Sequence, residues 1–238
     1  MVAVKTSAKV EERQAEERRK SVVREYAESI IIAVVLALVI RTFVVQAFKI
    51  PSGSMEDTLL IGDHILVNKL AYGLQVPFMD ARIRFFGLIG DPERGDIIVF
   101  PFPRDPSRDF IKRVVAVPGD RIEVRNHHVY INSEPLKEPY VKLDDRAAAH
   151  PSRYSRWGPE VVPAGKLFVM GDNRDNSADG RDWGFLDSSQ VKGRAFIIYW
   201  SWDSSETKFF WLGNIPIPNP KAVLIDGIRW DRIGKLLQ

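Results

Sequence analysis

The sequence predicts a mostly β protein, built of antiparallel β-sheets or a partly closed barrel, behind a single N-terminal transmembrane helix. Two observations carry this prediction. From residue 48 onward, short apolar runs alternate with glycine, proline and aspartate, which is the spacing of strands and turns in an all-β body. Before residue 48, one continuous apolar run is hydrophobic on all of its faces, which is more than a core-facing helix requires.

The composition fits one substantial folded core with small appendages. The chain has 238 residues, of which 45% are hydrophobic and 27% are charged. It contains no cysteine, so disulfides and thiolate zinc sites are excluded. The net charge is only +3, with basic and acidic residues interleaved, so we do not expect nucleic acid as a partner.

The N-terminal region predicts a membrane anchor with a cytoplasmic N-terminus. Residues 1–26 are highly charged and precede an apolar run, residues 30–40, which is shorter than the ~20 residues of a membrane span. If the Arg41 side chain extends to the interface, residues 27–47 form one anchor of adequate length. The basic residues before the anchor favour an N-inside orientation, with residues 48–238 outside.

Two other interpretations of this apolar run remain open. It could be a buried core helix, although one core-facing stripe would suffice for that role. A cleavable signal peptide fits the 11-residue length of the run better. Against cleavage, the leader before the run is unusually long and rich in acidic residues. We therefore expect an uncleaved anchor.

The body contains a series of strand-like segments. Apolar runs occur at residues 64–67, 96–100, 110–117, 166–170 and 194–200. The period-2 alternation on either side of Asn126-His127 predicts a hairpin with a two-residue turn. Residues 135–163 are rich in proline, alanine and arginine, so we expect residues 121–165 to comprise a hairpin and a mobile insert.

Two short stretches together indicate a serine nucleophile with an amine base. Lys112 follows Phe110 and Ile111 in a strand-like run, where a buried cation is unusual. Ser54 lies in a tight Ser-Gly-Ser turn just past the apolar helix. The pair favours a serine whose base is a lysine amine rather than a histidine. Each stretch alone is ambiguous, because Ser-Gly-Ser is common in loops and most lysines are solvated.

The four histidines do not predict a metal site. His127 and His128 are adjacent, so on a strand they would point to opposite faces. His64 begins a strand, and His150 precedes a proline. We therefore expect turn and surface histidines, and neither a metal nor another cofactor.

Residues 171–184 form the densest polar cluster in the chain. They follow the apolar residues 167–170, so they begin at the end of a strand, where functional sites often lie. As a structural segment they would supply turns and exposed charge. As a functional segment they would hold catalytic strands through buried hydrogen bonds and ion pairs. The residues alone leave both interpretations open.

Four motifs, in this order, resemble those of the bacterial type I signal peptidases. They are Ser52-Gly53-Ser54-Met55 with Thr58-Leu59, residues 94–100, Phe110-Ile111-Lys112-Arg113, and the polar cluster of residues 171–184. The resemblance extends from the anchor to about Gly184. These enzymes remove signal peptides from exported preproteins, and four ordered motifs behind an anchor are highly specific for them.

The resemblance implies a role for each matching residue. Ser54 corresponds to the nucleophile and Lys112 to the general base. The Ser52 hydroxyl would join the Ser54 backbone N–H in the oxyanion hole, and Ser177 would orient the lysine amine. Such an amine must lose its proton, which burial in an apolar wall favours by lowering its pKa.

Other matching residues support the site or contact the substrate. Asp179 and Arg181 correspond to a supporting ion pair. Asp57 stands where the family often has proline, which we expect to loosen the turn. Positions resembling the walls of the small apolar pockets for substrate alanines are occupied by Phe48, Ile50, Met55, Leu59, Ile65, Phe110 and Ile111.

The implied function is that of a metal-independent serine endopeptidase of the bacterial inner membrane that cleaves after Ala-x-Ala sequences. We expect preprotein signal peptides and membrane lipid as partners, with the secretion translocon close by. Two rival functions remain open. A self-cleaving repressor-type Ser-Lys protease would normally carry a DNA-binding helix-turn-helix. A catalytically inactive, membrane-tethered β-domain would serve secretion as a scaffold.

Two further apolar segments are candidates for contact with lipid. Residues 84–89 form either an exposed apolar lip or a buried core turn. Residues 228–237 predict a short amphipathic helix that could lie at the interface.

Overall fold

The computed structural model describes residues 24–75, 82–83, 90–143, 155–203, 209–212, 215–218 and 227–237. The chain falls into two compact units, divided between Val44 and Val45.

The described part of the first unit is one helix, α1 (Arg24–Val44), which ends in a π-helical segment, Ile40–Val44. None of its residues is buried, although ten of its 21 residues are isoleucine, leucine or valine. By length and composition this helix could cross a membrane. It ends three residues before the predicted end of the anchor, because residues 45–47 belong to the first strand.

The second unit is mostly β, and its described residues contain fifteen strands. They are β1 (Val45–Lys49), β2 (Asp63–Asn68), β3 (Leu74–Gln75), β4 (Arg82–Ile83), β5 (Ile97–Phe102), β6 (Asp105–Ala116), β7 (Arg121–Arg125), β8 (His128–Ile131), β9 (Glu134–Pro135), β10 (Arg156–Val161), β11 (Lys166–Met170), β12 (Leu186–Asp187), β13 (Gly193–Ser201), β14 (Phe209–Leu212) and β15 (Ile215–Pro218).

Seven strands form the main sheet, in the order β1-β2-β13-β5-β6-β11-β12, and every pairing in it is antiparallel. A second antiparallel sheet has the order β10-β7-β8-β9. The pairs β3-β4 and β14-β15 stand apart from both sheets. The predicted mostly β body of antiparallel sheets is therefore confirmed.

The main sheet is buried on both faces at its centre. Strand β5 begins with four consecutive apolar residues, and all four are buried. Ile97 and Val99 pack in one hydrophobic cluster, while Ile98 and Phe100 pack in another on the opposite face. A continuous apolar run is thus the sequence of a strand that has no solvent-facing side.

The predicted hairpin with a two-residue turn is present between β7 and β8. Both turn residues have positive φ, 49° at Asn126 and 68° at His127, as a type I′ turn requires. His127 is buried, with Nδ1 3.2 Å from Asp175 Oδ1, so the expectation of a surface histidine is wrong for this residue. His64 is half-buried and His128 is exposed, while His150 lies outside the described residues.

Part of the expected mobile insert has regular structure. Residues 156–161 form β10, which pairs with β7. A register shift between Trp157 and Glu160 accommodates the Gly158-Pro159 pair inside this strand. Residues 144–154 of the insert lie outside the described residues.

The C-terminal segment does not form the predicted amphipathic helix. Its only described helical turn is the short 3-10 helix Trp230–Arg232. Leu236 forms a β-bridge with Ile197, and Leu237 packs in the core. Tertiary pairing therefore overrides the local helical pattern here. The other lipid candidate, residues 84–89, lies outside the described residues.

Candidate active site

The chain makes a tight turn directly after β1, at residues 51–60, which we call the serine turn. Within it, Gly53–Met55 forms one 3-10 turn, and Glu56 N donates to Gly53 O at 3.1 Å. Met55 and Leu59 are fully buried in the core. These two apolar anchors fix the turn, while Ser54, directly before Met55, is only half-buried.

Lys112 of β6 extends to this turn. Its side chain is only 3% exposed, and its Nζ lies 2.6 Å from Ser54 Oγ. Nζ also donates to the carbonyl oxygen of Ile111 at 3.0 Å, and it lies 5.3 Å from the centre of the Phe110 ring. The structure therefore brings together the serine and the lysine that the sequence singles out, although 58 positions separate them along the chain.

The environment of Lys112 makes its amine a weak base. Burial lowers its pKa from 10.5 to about 8 by disfavouring the charged form. The negative charges of Asp179 and Asp172 act in the opposite direction, and the Arg181 guanidinium adds to the lowering. Desolvation outweighs the two carboxylates, so a substantial fraction of the amine is neutral near physiological pH.

A cleft of about 570 Å³ opens beside this pair. It is lined by Pro51, Ser52, Ser54, Arg108, Asp109, Phe110, Ile111, Lys112, Asn176 and Ala178. Ser52 has an extended backbone, is exposed, and lines the same cleft as Ser54.

The predicted pocket walls divide into two groups. Phe110 and Ile111 line the cleft. Phe48 packs at the margin of the core, and the others are buried within it and do not line the cleft: Ile50, Met55, Leu59 and Ile65. Contact of this second group with a substrate therefore stays a prediction.

The polar cluster of residues 171–184 lies at the end of β11, against the serine turn. Asn173 N donates to the Ser54 carbonyl at 3.2 Å, and Asn173 Nδ2 donates to the Gly53 carbonyl at 3.0 Å. A Cβ on Gly171 would lie 2.5 Å from Ser54 O and 2.3 Å from Ser177 Oγ. Only glycine allows so close an approach of the two segments.

Asp179 and Arg181 form the buried ion pair that the sequence predicts. Arg181 Nη2 lies 2.9 Å from Asp179 Oδ2, and both side chains are almost fully buried. Asp179 caps helix α2 (Gly180–Trp183) and accepts a hydrogen bond from Gly171 N at 3.1 Å. The pair therefore fixes the end of β11 where it meets the serine turn.

Ser177 is buried beside this pair, but it does not make the predicted hydrogen bond. Among the described residues, its Oγ has no hydrogen-bond partner. The Lys112 amine is directed instead at Ser54 Oγ and the Ile111 carbonyl. The role predicted for Ser177 in orienting the amine stays a prediction.

The buried pair Arg113–Asp172 is a part of the site that was not predicted from the sequence. Arg113 Nε and Nη2 lie 2.9 and 2.8 Å from the two Asp172 oxygens. Asp172 Oδ2 also accepts a hydrogen bond from Thr58 Oγ1 at 2.6 Å, which ties the pair to the serine turn. The signal for this pair in the sequence was the density of polar residues in the cluster of residues 171–184. The buried network fits the interpretation of that cluster as a structural support for the catalytic strands.

The expected loosening of the turn at Asp57 is opposed by nearby charge. Asp57 has a φ of 77°, which aspartate tolerates better than most residues. Lys142 Nζ lies 3.4 Å from Asp57 Oδ1 and 3.5 Å from Glu56 Oε2.

Among the described residues, no cluster of histidine, aspartate and glutamate is arranged to hold a metal ion.

A mostly β unit in which a serine hydroxyl contacts a buried, weakly basic lysine has the arrangement of a Ser-Lys serine hydrolase. Comparison with known families specifies the class further. The model of the family described as signal peptidase, peptidase S26, matches residues 23–200. The chain belongs to this family, which decides in favour of the peptidase among the functions that the sequence leaves open.

Two relatives agree with this assignment. A signal peptidase I of Pseudomonas aeruginosa is 38% identical over 209 residues, covering 75% of this chain and 72% of the relative. A signal peptidase I of Aquifex aeolicus is 33% identical, covering 75% of this chain and 84% of the relative. A crystal structure of a signal peptidase I from Enterococcus faecalis V583 is 34% identical, covers 44% of this chain and 97% of its own, and has a TM-score of 0.37.

Proposed function

We propose that Ser54 is the nucleophile and Lys112 the general base of this chain, which is a membrane-anchored serine endopeptidase that removes signal peptides from preproteins. The observation that supports the dyad is the 2.6 Å contact between Lys112 Nζ and Ser54 Oγ, made by a buried amine with a lowered pKa. A base with a pKa near the ambient pH can both accept and return a proton, as hydrolysis requires.

In the acylation step, Ser54 Oγ attacks the scissile carbonyl carbon while its proton passes to the neutral Nζ of Lys112. The Ser52 hydroxyl and the Ser54 backbone N–H donate hydrogen bonds to the oxyanion that forms. When the C–N bond breaks, the Lys112 ammonium protonates the leaving amine, which is the new N-terminus of the mature protein. The signal peptide stays on Ser54 as an ester.

In the deacylation step, water replaces the departed amine. Lys112 Nζ, neutral again, takes a proton from the water as its oxygen attacks the ester carbonyl. The second tetrahedral intermediate collapses, the ester bond breaks, and the proton returns from Lys112 to Ser54 Oγ. The signal peptide leaves with a carboxylate, and the enzyme regains its starting state.

An unpaired stretch of β6 suits an extended substrate. Strand β5 pairs with β6 along one edge, but on the other edge β11 reaches only Arg113 to Ala116. Among the described residues, no strand pairs with residues 109–112 on this edge, so a peptide could add there beside the dyad as a further strand. Alternate side chains of such a strand share one face, so small residues at the first and third positions before the cut would face the cleft together. This fits Ala-x-Ala cleavage.

The length and position of α1 support anchoring in the bacterial inner membrane. We propose that residues 1–26 are cytoplasmic, residues 27–47 are the anchor, and residues 48–238 are extracytoplasmic. Ser54 follows the end of α1 by ten residues, a chain length that spans at most ~35 Å. The nucleophile would therefore stay near the lipid surface, where a signal peptide emerges close to the secretion translocon.

The dyad can be tested with the detergent-solubilised full chain and a purified preprotein. We expect Ser54→Ala, Lys112→Ala and Lys112→Arg each to lower the rate of cleavage about 1,000-fold or more, since general base catalysis alone contributes up to about 10,000-fold. The arginine variant keeps a positive charge but cannot act as a base. Ser189→Ala and Lys137→Ala, at exposed positions away from the cleft, serve as matched controls and should cleave normally.

Cleavage at the wild-type rate by Ser54→Ala or Lys112→Arg would refute the dyad and leave the peptidase assignment intact. Orientation is tested separately, by protease digestion of inverted membrane vesicles. The body should be protected inside them, and digestion of the body would refute the proposed topology.

A further inference from the structure

The C-terminal segment, residues 227–237, lies beyond the residues matched by the family model, yet it reaches the serine turn. Arg232 is buried, at 7% exposure. Its Nη2 lies 2.6 Å from Asp63 Oδ2, and its Nε lies 3.1 Å from Asp63 Oδ1. The same Nη2 donates to the carbonyl of Thr58 at 2.9 Å, inside the serine turn.

Asp63 is the fixed, negatively charged partner that holds Arg232 in contact with the Thr58 carbonyl. It is fully buried and also accepts hydrogen bonds from Ser201 Oγ at 2.6 Å and Leu60 N at 2.8 Å. Burial alone would raise the pKa of Asp63, but the hydrogen bonds from Arg232, Ser201 and Leu60 outweigh it and hold the pKa below its ordinary value. The carboxylate therefore stays ionised and keeps the guanidinium in place.

Thr58 is held between two buried ion pairs. Its carbonyl accepts from Arg232, which is paired with Asp63, and its hydroxyl donates to Asp172, which is paired with Arg113. The next residue, Leu59, donates its backbone N–H to Met55 O at 2.7 Å. Displacement of Thr58 would therefore be transmitted to the residue that follows the nucleophile.

We propose that Arg232 is a positioning residue for Ser54. Its ion pair with Asp63 holds the Thr58 carbonyl and thereby keeps Ser54 Oγ within reach of the Lys112 amine. A displacement of 1 Å at a reacting group can reduce a rate about 100-fold. The planar guanidinium is needed because it binds the carboxylate through two nitrogens and still reaches the carbonyl. This inference rests on the proposed role of Ser54.

The chain contains a similar ion pair that lacks this connection, although its arginine side chain is more exposed, at 41%. Asp120, like Asp63, follows a glycine with positive φ and accepts the backbone N–H three residues before it, here Val117 N at 2.9 Å. Its arginine partner is Arg94, whose Nε lies 2.7 Å from Asp120 Oδ2. None of the described hydrogen bonds of Arg94 or Asp120 reaches the serine turn, so Arg94 is the control for Arg232.

The test compares Arg232→Ala with Arg94→Ala in the full chain, using a preprotein substrate at a temperature well below the melting point of each variant. We expect Arg232→Ala to lower kcat about 100-fold with KM changed less than about twofold. Arg94→Ala should keep both constants within about twofold. Millimolar guanidinium should restore at least about a tenth of the lost kcat to Arg232→Ala and leave Arg94→Ala unchanged, which a merely structural role would not produce.

Wild-type kcat in folded Arg232→Ala would overturn the proposal, and so would an equal loss in Arg94→Ala. If Arg232→Ala does not fold, Arg232→Lys carries the test. Its three N–H groups lie on one nitrogen of a shorter side chain, so it does not reproduce the two-nitrogen contact with Asp63 and the reach to the Thr58 carbonyl. We therefore expect kcat to fall about tenfold, and wild-type kcat would refute the role. Ser54→Ala in the same assay separates this outcome from failure of the dyad itself.

Discussion

Two neighbouring cations on β6 are almost equally buried and have opposite environments. Arg113, at 2% exposure, forms a two-nitrogen ion pair with Asp172, donates to the Gly95 carbonyl at 2.8 Å, and lies 3.8 Å from the Tyr140 ring centre. Lys112, at 3% exposure, contacts only uncharged oxygens among the described residues. The comparison shows that burial alone does not decide the role of a cation. A buried cation paired with a carboxylate is structural, whereas one without a carboxylate in contact is reactive.

The physical reason is the balance between desolvation and charge pairing. A carboxylate in contact offsets the loss of water around Arg113, so its charge is retained inside the protein. No carboxylate forms an ion pair with Lys112 in the described structure, and the pKa of its amine falls accordingly. Because adjacent residues on a strand face opposite sides, one short motif supplies both a rigid anchor and a base.

The largest effect on folding is expected at the structural cation. Arg113→Met leaves the Asp172 carboxylate buried and unpaired, so the free energy of unfolding should fall by about 3–5 kcal/mol. Denaturant unfolding of the full chain in detergent measures this. A double variant, Arg113→Met with Asp172→Leu, removes the stranded charge and should recover most of the loss. An Arg113→Met protein as stable as wild type would break the comparison.

The reactive cation should behave in the opposite way. Lys112 has a lower pKa in the folded chain than in the unfolded chain, so below about pH 8 folding must bury a charge or release a proton. Lys112→Met removes this penalty and should be more stable than wild type at pH 7, by up to roughly 3 kcal/mol.

This stabilisation should depend on pH with a definite sign. Between about pH 8 and 10.5 the unfolded chain binds more protons than the folded chain at Lys112, so the stability of the wild type rises with pH in that interval. The advantage of Lys112→Met should therefore shrink as pH increases from 8 toward 10.5. Unfolding measured on both proteins at pH 7 and pH 10 checks this. The prediction would be contradicted if the stability difference between Lys112→Met and wild type were smaller at pH 7 than at pH 10.

The smallest expected effect, when counted for a single pH unit at about 1.4 kcal/mol, is the pH dependence of cleavage. Only the neutral amine is a base, so kcat/KM should rise about tenfold per pH unit and level off above about pH 8. A peptide substrate that is acetylated at its N-terminus and contains neither histidine nor cysteine does not itself titrate in this range. A rate that is already maximal at pH 5 would exclude Lys112 as the base and remove the contrast with Arg113.

The strands were predictable wherever local pattern and tertiary role agree. The continuous apolar run of β5 indicates a central strand, and the period-2 segments around Asn126 indicate a hairpin. Strand β10 was not predictable, because Gly158-Pro159 reads as a break. It exists only because a register shift against β7 absorbs those two residues. Pairing with a distant strand carries no local signal.

The site was predictable from motif resemblance rather than from residue spacing. Contact between Ser54 and Lys112 depends on the register of β6 within the sheet, which no local pattern specifies. The buried position of His127 depends on Asp175, which is distant along the chain. The contact of Arg232 with Thr58 likewise joins segments far apart in sequence. No local pattern in the sequence specifies such long-range contacts.

The missing side chain at Gly171 has a consequence for the tolerance of the site to change. The end of β11 and the serine turn meet at Gly171 through main-chain atoms, with no side chain of residue 171 between them. The distance between the Ser54 hydroxyl and the Lys112 amine therefore depends on how closely these two main-chain segments pack. A single methyl group at that position would act as a wedge, and no rearrangement of neighbouring side chains could make room for it, because one of the atoms in its way is the carbonyl oxygen of Ser54.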